Sequence, residues 1–201
     1  MKLFVHCCPR TFANAYVVGT EDTEEAREAL VVDPGCMDTV ILGFIENNGY
    51  QVRGVLLTHD HITHTGGLKT LKRIYNADIY AMNQTVLGHR SIMVRDMDVV
   101  TAGPFRFEVI SVPGHSPDSV VFKLEGLLFT GDALTAGLVG STASSYGAAA
   151  QVRALRTKVL SLAGDWVVLP GHGPPSSLEA ERHFNAGIRR YEERALRPGR
   201  I

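Results

Sequence analysis

This chain has little of what marks the specialised classes of protein. No apolar run approaches the roughly 20 residues that a membrane-spanning helix needs. The opening stretch MKLFVHCCPR lacks the long apolar segment of a secretory signal, so a cytoplasmic location is expected. Cysteine is scarce. Cys7, Cys8 and Cys36 are odd in number and form no Cys-x-x-Cys pair. That is a poor disulfide framework and predicts free thiols in a reducing compartment. Excess charge is missing too: the formal net charge of −1 excludes the strong nonspecific grip on nucleic acid that surplus Lys and Arg provide. There is no repeat and no low-complexity tract.

What is present is an ordinary globular composition, 45% apolar and 20% charged over 201 residues. That length predicts a single domain, 1–201, with enough chain to bury a sizeable core. Strands and helices alternate. Residues 2–5, 15–18, 29–33, 53–57, 78–82, 105–112, 119–124, 127–130 and 165–169 read as strands. Val40, Ile41, Phe44 and Ile45 mark a helix face, ended by Asn47-Asn48-Gly49. Leu68, Leu71 and Tyr75 mark a second. Val152, Leu155, Val159 and Leu162 mark a third, and a C-terminal helix covers roughly 178–196. Residues 83–98 read as a short helix plus loop. The small residues of 133–150 read as a loop.

The most informative stretch is Val55-Leu56-Leu57-Thr58-His59-Asp60-His61-Ile62-Thr63-His64. A buried strand is followed at once by imidazoles at i, i+2 and i+5, a spacing that suits joint metal binding. Other chemistry-bearing residues share this placement. His115, Asp132 and His172 each sit just past a predicted strand end, where loops converge over a rigid sheet. Asp60, between two histidines on extended backbone, points away from them. His6, His89 and His183 lie outside these clusters and read as ordinary surface or core histidines, and the cysteines as idle or buried thiols.

Taken together, these segments resemble the metallo-β-lactamase superfamily, and within it the compact glyoxalase II-like hydrolases. Asn14-Ala15-Tyr16 resembles the family's early Asn-x-Tyr strand, and Asp33-Pro34-Gly35 its Asp-Pro-Gly turn. His59 to His64 resembles His-x-His-x-Asp-His. Pro113-Gly114-His115, Gly131-Asp132 and Pro170-Gly171-His172 resemble the later motifs, in order. The resemblance implies an α/β fold, a four-layer αβ/βα sandwich of two mixed β-sheets flanked by helices. It implies that His59, His61, His115 and Asp132 bind a first metal ion. Asp132 would bridge to a second ion held by His64 and His172. Zn²⁺ is the expected cofactor, with Fe or Mn as the other candidates. A metal-bound hydroxide at a pKa of about 7 would attack the substrate carbonyl, oriented by Asp132 as the catalytic residue.

One position departs from the pattern. Thr63 stands where the family has its aspartate. A neutral hydroxyl is a poor ligand for a transition metal, so the second site is expected to be weak or vacant. Thr63 also reads as the cap of the helix that follows. Asp33 either orients a ligand histidine or stabilises its Pro-Gly turn. The family's Gly-Arg-Thr-Asp stretch is Gly140-Ser141-Thr142-Ala143 here, and Arg90 and Arg95 are candidates for holding an anionic substrate group. No counterpart is expected to the helical domain by which full-length glyoxalase II grips glutathione, so glutathione specificity is not expected to carry over.

The expected function is therefore a metal-dependent hydrolase of a small thioester or ester, with a small-molecule substrate and no nucleic-acid or membrane partner. The oligomeric state is not readable. Two alternatives stand beside it. One is a mononuclear iron enzyme like the superfamily's persulfide dioxygenases, with two histidines and Asp132 on one face of the ion. The other is a catalytically degenerate binding or scaffold protein.

Overall fold

A computed structural model describes residues 1–21 and 27–195. The first half of the chain forms one six-stranded sheet: β1 (Lys2–Cys7), β2 (Asn14–Gly19), β3 (Glu28–Val32), β4 (Gln51–Leu56), β5 (Asp78–Ala81) and β6 (Ile92–Met93). These lie side by side in chain order. The first three are antiparallel, and β3 to β6 run parallel. The second half repeats the plan with β7 (Val99–Ala102), β8 (Phe105–Ser111), β9 (Val120–Leu124), β10 (Leu127–Gly131), β11 (Val167–Pro170) and β12 (Ser176–Ser177). Only β10 and β11 are parallel there.

The side-chain alternation of the strands explains the layering. Along β2, Tyr16 and Val18 face one way and Val17 the other; along β3, Leu30 and Val32 oppose Val31. Tyr16, Leu30, Val32 and Leu56 meet Phe107, Phe122 and Phe129 of the second sheet, so the two sheets pack face to face. Val17, Val31 and Val55 instead bury the apolar stripes of α1 (Thr39–Asn47) and α3 (Leu68–Ile74), through Ile41, Ile45, Leu68 and Leu71. Val121, Leu128 and Val168 do the same for Leu155, Val159 and Leu178 on the far side. Strands covered on both faces read as unbroken apolar runs, as these do. The product is the expected four-layer αβ/βα sandwich.

Several local expectations are corrected. Residues 83–98 contain no helix; they form a two-residue hairpin (Thr85–Val86 with His89–Arg90) and then β6. Such short pairings are too brief to leave a period in the sequence. The loop at 133–150 holds a small hairpin (Leu134–Thr135 with Leu138–Val139), and helix α4 (Ser145–Ala154) begins inside it. Ser144 Oγ accepts from the Gly147 N–H and caps this helix, which its Gly-Ala-rich first turns concealed. The stripe from Val152 to Leu162 is not one regular helix, because Leu155–Val159 widen into a π-helical turn in which the Leu160 N–H donates to Leu155 O. The C-terminal helix is two, α5 (Leu178–Phe184) and α6 (Ala186–Ala195). Asn185 divides them, accepting from the Ile188 N–H and donating to Glu181. The expected end of that helix at residue 196 lies outside the described residues.

Candidate metal centre

β4, β8, β10 and β11 all end at one edge of the sandwich, and each is followed within a few residues by a candidate ligand. β4 leads to His59 and His61, β8 to His115, β10 to Asp132 and β11 to His172. The short helix α2 (Ile62–Thr65) turns the chain back so that His64 faces the same space. The two sheets are clamped here. The Val120 N–H donates to Thr58 O, and Gly131 lies so close to Thr58 that a β-carbon would sit 2.4 Å from its hydroxyl oxygen.

All six predicted ligands converge. His61 Nδ1 lies 2.9 Å from His59 Nε2 and 3.0 Å from His115 Nε2. Asp132 Oδ2 lies 3.5 Å from His115 Nε2 and 3.9 Å from His59 Nε2. Nitrogen ligands about 2.05 Å from a tetrahedral ion would be about 3.3 Å apart, which these separations bracket. One imidazole nitrogen cannot hydrogen-bond as donor to two neighbours, so three converging ring nitrogens suit a shared cation better than each other. The other group is His64, Asp132 and His172, with Asp132 Oδ1 3.4 Å from His64 Nε2 and Oδ2 3.7 Å from His172 Nε2. His64 Nε2 and Asp132 Oδ1 are buried with no hydrogen-bond partner among the described residues. Such orphans are costly unless something else binds them. Gly171 keeps the space open, since a β-carbon there would lie 2.4 Å from His64 Cε1 and 2.5 Å from Asp132 Oδ1. The donor set, the orphaned atoms and the preserved gap fit a divalent cation.

The outward-facing ring nitrogens of His59, His64, His115 and His172 are occupied, and this fixes which of their lone pairs point inward. His115 Nδ1 donates to Ser141 O (2.8 Å) and His172 Nδ1 to Phe12 O (3.1 Å). Asp33 organises the floor of the site. It is buried, held at φ 48°, and its Oδ2 accepts from His64 Nδ1 (3.1 Å) and from Thr58 Oγ1 (2.6 Å). Its Oδ1 accepts the Thr58 N–H (2.8 Å), and Thr58 Oγ1 in turn accepts from His59 Nδ1 (3.1 Å). Of the two sequence readings of Asp33, the orienting one matches this geometry. The carbonyls of Phe12 and Ser141 had no sequence signal at all, because any residue supplies a carbonyl.

Thr63 is corrected. It sits half-buried within α2, whose N-terminal cap is His61, and no side chain caps that helix. Its carbonyl packs against Gly35, where a β-carbon would lie 1.9 Å away. Asp60 stays out of the ligand groups, as expected; its N–H donates to Asp118 Oδ2, which also accepts from Asn83.

Charge divides the two groups. Burial and the neighbouring charge of His64 lower His59 to about 4, so it is neutral at physiological pH and ready to ligate. Burial would also lower His64, but the Asp132 and Asp33 carboxylates outweigh it and raise His64 to about 10. Burial acts to raise Asp132, yet His64 and its neighbours hold it down at about 2. A cation entering beside His64 must therefore displace a proton, and one entering beside His59 need not. The expected result is that affinity at the His64 site rises by about tenfold per pH unit below pH 10, the limit for releasing one proton. Chelator-competition titrations between roughly pH 6 and 8 check this; a flat profile at the weaker site contradicts it.

Asp33→Ala is expected to strand three buried donors, each costing about 1–3 kcal/mol. Urea unfolding of the metal-free variant should show a loss of about 3 kcal/mol or more, and metal affinity should fall about 10–100-fold. A loss under about 1 kcal/mol would mean these bonds do not hold the floor.

Comparison with known proteins agrees with this picture. Residues 8–90 match the profile of the metallo-beta-lactamase superfamily. The hydroxyacylglutathione hydrolase of Chromohalobacter salexigens is 32% identical over 148 residues, covering 72% of this chain. The match spans only 57% of that relative's length. Among solved structures, ETHE1 from Myxococcus xanthus aligns with a TM-score of 0.80 at 26% identity, covering 92% of this chain and 84% of its own. The BLEG-1 B3 metallo-beta-lactamase aligns at 0.82 over 92% of this chain and all of its own, at 24% identity, a likeness of fold alone. With its motifs in order, its sandwich and its converged histidines, the chain belongs to the metallo-β-lactamase superfamily, in the glyoxalase II-like subgroup.

Proposed function

We propose that this protein is a metal-dependent hydrolase of a small thioester or ester, built as one domain over residues 1–201. The observation that carries the reading is the convergence of five imidazoles on one shared carboxylate, with buried polar atoms left unpartnered between them. Likeness to a hydroxyacylglutathione hydrolase supports the thioester class. His59, His61, His115 and Asp132 would hold the first ion, expected to be Zn²⁺. His64, Asp132 and His172 would hold a weaker second. An ion in such a site lowers the pKa of water to about 7 and polarises a carbonyl.

The chain's own groups divide the remaining work. His59 and His64 form the buried floor, while His61 is exposed and His115 partly so, which leaves that side open to substrate. Asp132, ionised at neutral pH, is placed to orient a water. Ser141 O and Phe12 O keep the His115 and His172 rings from turning. The proposed location is cytoplasmic; no helix among the described residues is long and apolar enough to cross a membrane. Small molecules are the proposed partners, rather than nucleic acid or membrane.

The test is reconstitution. Metal-free protein should hydrolyse none of a panel of thioesters and esters, hydroxyacylglutathione among them. Added Zn²⁺ should restore turnover and a chelator remove it. No turnover with any divalent ion would overturn the reading and favour a scaffold. A second reading, an iron oxygenase, is favoured by the likeness to the ETHE1 structure. Oxygen uptake by iron-loaded protein with a persulfide, without thioester hydrolysis, would establish it instead.

A further inference from the structure

A second cluster of metal-ligating groups lies away from the five-histidine centre. His6 stands on β1 and is 8% exposed. Its Nε2 lies 2.8 Å from Asp38 Oδ2. Cys36 Sγ lies 3.8 Å from the same oxygen. The three ligand atoms all fall within 4.8 Å of one another. Asp38 divides its carboxylate between two tasks. Oδ1 accepts from the N–H groups of Val40 and Ile41 and caps α1, while Oδ2 is turned toward His6 and Cys36. The His6 ring is held in place, lying parallel to Phe4, which stacks on Phe44. The fully buried Cys8 thiol touches Cys36. A surface cleft of about 470 Å³ opens onto Cys8, Cys36 and Asp38 and gives an ion a way in.

A His–Asp contact alone would be an ordinary ion pair. The thiol changes its chemistry. One imidazole, one thiolate and one carboxylate form a mixed N, S, O set that suits Zn²⁺ or another borderline-to-soft divalent ion, and disfavours Mg²⁺ or Ca²⁺. The two anionic ligands balance the charge of a divalent ion, so the loaded site would be neutral. The separations of 2.8 and 3.8 Å bracket the spacing of about 3.3–3.6 Å expected between N, O and S ligands on one tetrahedral ion.

We propose that His6, Cys36 and Asp38 form a separate binding site for one zinc-like divalent cation, with solvent as fourth ligand. Ion entry breaks the Cys36 S–H bond and releases that proton to solvent while the sulfur keeps the electron pair and forms the metal bond. His6 Nε2, which donates its N–H to Asp38 before the ion enters, releases that proton to solvent as Nδ1 takes one up, so the ring stays neutral and the freed Nε2 lone pair forms the second metal bond. No redox change is involved. The bound ion would tie β1 to the loop that carries Asp33, three residues before Cys36. The proposal stands independently of the hydrolase reading.

The ligand chemistry supplies the test, because the five-histidine centre contains no sulfur. Metal-free, reduced full-length protein is titrated with Cd²⁺ alone. The expected result is a thiolate-to-cadmium charge-transfer band in the ultraviolet, saturating at one sulfur-ligated ion per chain. Cys36→Ser should abolish the band and leave cadmium binding by the histidines intact. Cys7→Ser, at an exposed position, should keep it. Absence of the band in the unaltered protein, or its survival in Cys36→Ser, overturns the proposal. Should Cys36→Ser fail to fold, cadmium-113 NMR of the unaltered chain decides. A resonance in the range of mixed sulfur–nitrogen–oxygen sites supports the site, and nitrogen–oxygen resonances alone overturn it.

Discussion

Asp132→Asn is expected to reduce both metal affinity and hydrolysis by more than about 100-fold, beyond the roughly 10–100-fold cost of losing an orienting partner. Asp132 is the only residue present in both ligand groups of the centre. Its Oδ2 stands 3.5 Å from His115 Nε2 and 3.7 Å from His172 Nε2, and its Oδ1 3.4 Å from His64 Nε2. An amide of the same shape keeps one oxygen donor but removes the negative charge that offsets a divalent ion. It also presents an NH₂ group to at least one neighbour that needs an acceptor. Metal content by elemental analysis and thioester turnover at saturating Zn²⁺ should fall together. A variant that keeps the parent's metal content, or turnover within a few-fold of the parent, would exclude a shared ligand at 132. The metal-free variant provides a separate readout. His64 draws its raised pKa first from Asp132 and then from Asp33, once burial is overcome, so the substitution should lower it from about 10. Below the unfolded value near 6.5, His64 contributes stability that is lost as pH rises through its folded value. In the variant that loss should be complete at a lower pH.

The second large effect is a gain. Thr63→Asp should raise metal content from about one to about two tightly held ions per chain, by completing a four-ligand site. The existing group of His64, Asp132 and His172 supplies three donors. Thr63 lies in the same short helix as His64, one residue before it, and makes no side-chain hydrogen bond among the described residues that the change would break. Two unit charges 4 Å apart interact by about 4 kcal/mol at an effective dielectric of 20, so one added carboxylate outweighs a modest desolvation cost. Elemental analysis before and after dialysis against a weak chelator measures the outcome. An unchanged stoichiometry, or two tight ions already present in the parent, means that Thr63 does not limit the second site. A change in stoichiometry without a change in turnover would assign the chemistry to the first ion.

Most of the sheet strands were legible because apolar runs such as Tyr16, Val17 and Val18, and alternation such as that of Phe105 and Phe107, are local, whereas Ile92–Met93, Val99–Ala102 and Ser176–Ser177 were not read, being short or weakly apolar. The ligand motifs were legible for the same reason, since His59, His61 and His64 lie within six positions of one another. Local signals failed where helix formation depended on small residues and a cap, as at Ser144 and α4. They failed again where Asn185 broke one apolar stripe into two helices.

By itself the sequence determined the order of motifs, most of the individual strands, and the single missing carboxylate at Thr63. These depend on residue type and near-neighbour spacing. Only the tertiary structure decided how the ligands are aimed. Asp33 reaches Thr58 and His64 across 25 and 31 residues, and the carbonyl of Phe12 holds His172 across 160. It also brought His6 to Asp38, 32 residues apart, and placed Cys36 beside them. Such contacts follow from how sheets and loops close in space, and among the described residues the same types at other positions, His89 and His183 included, join no such cluster.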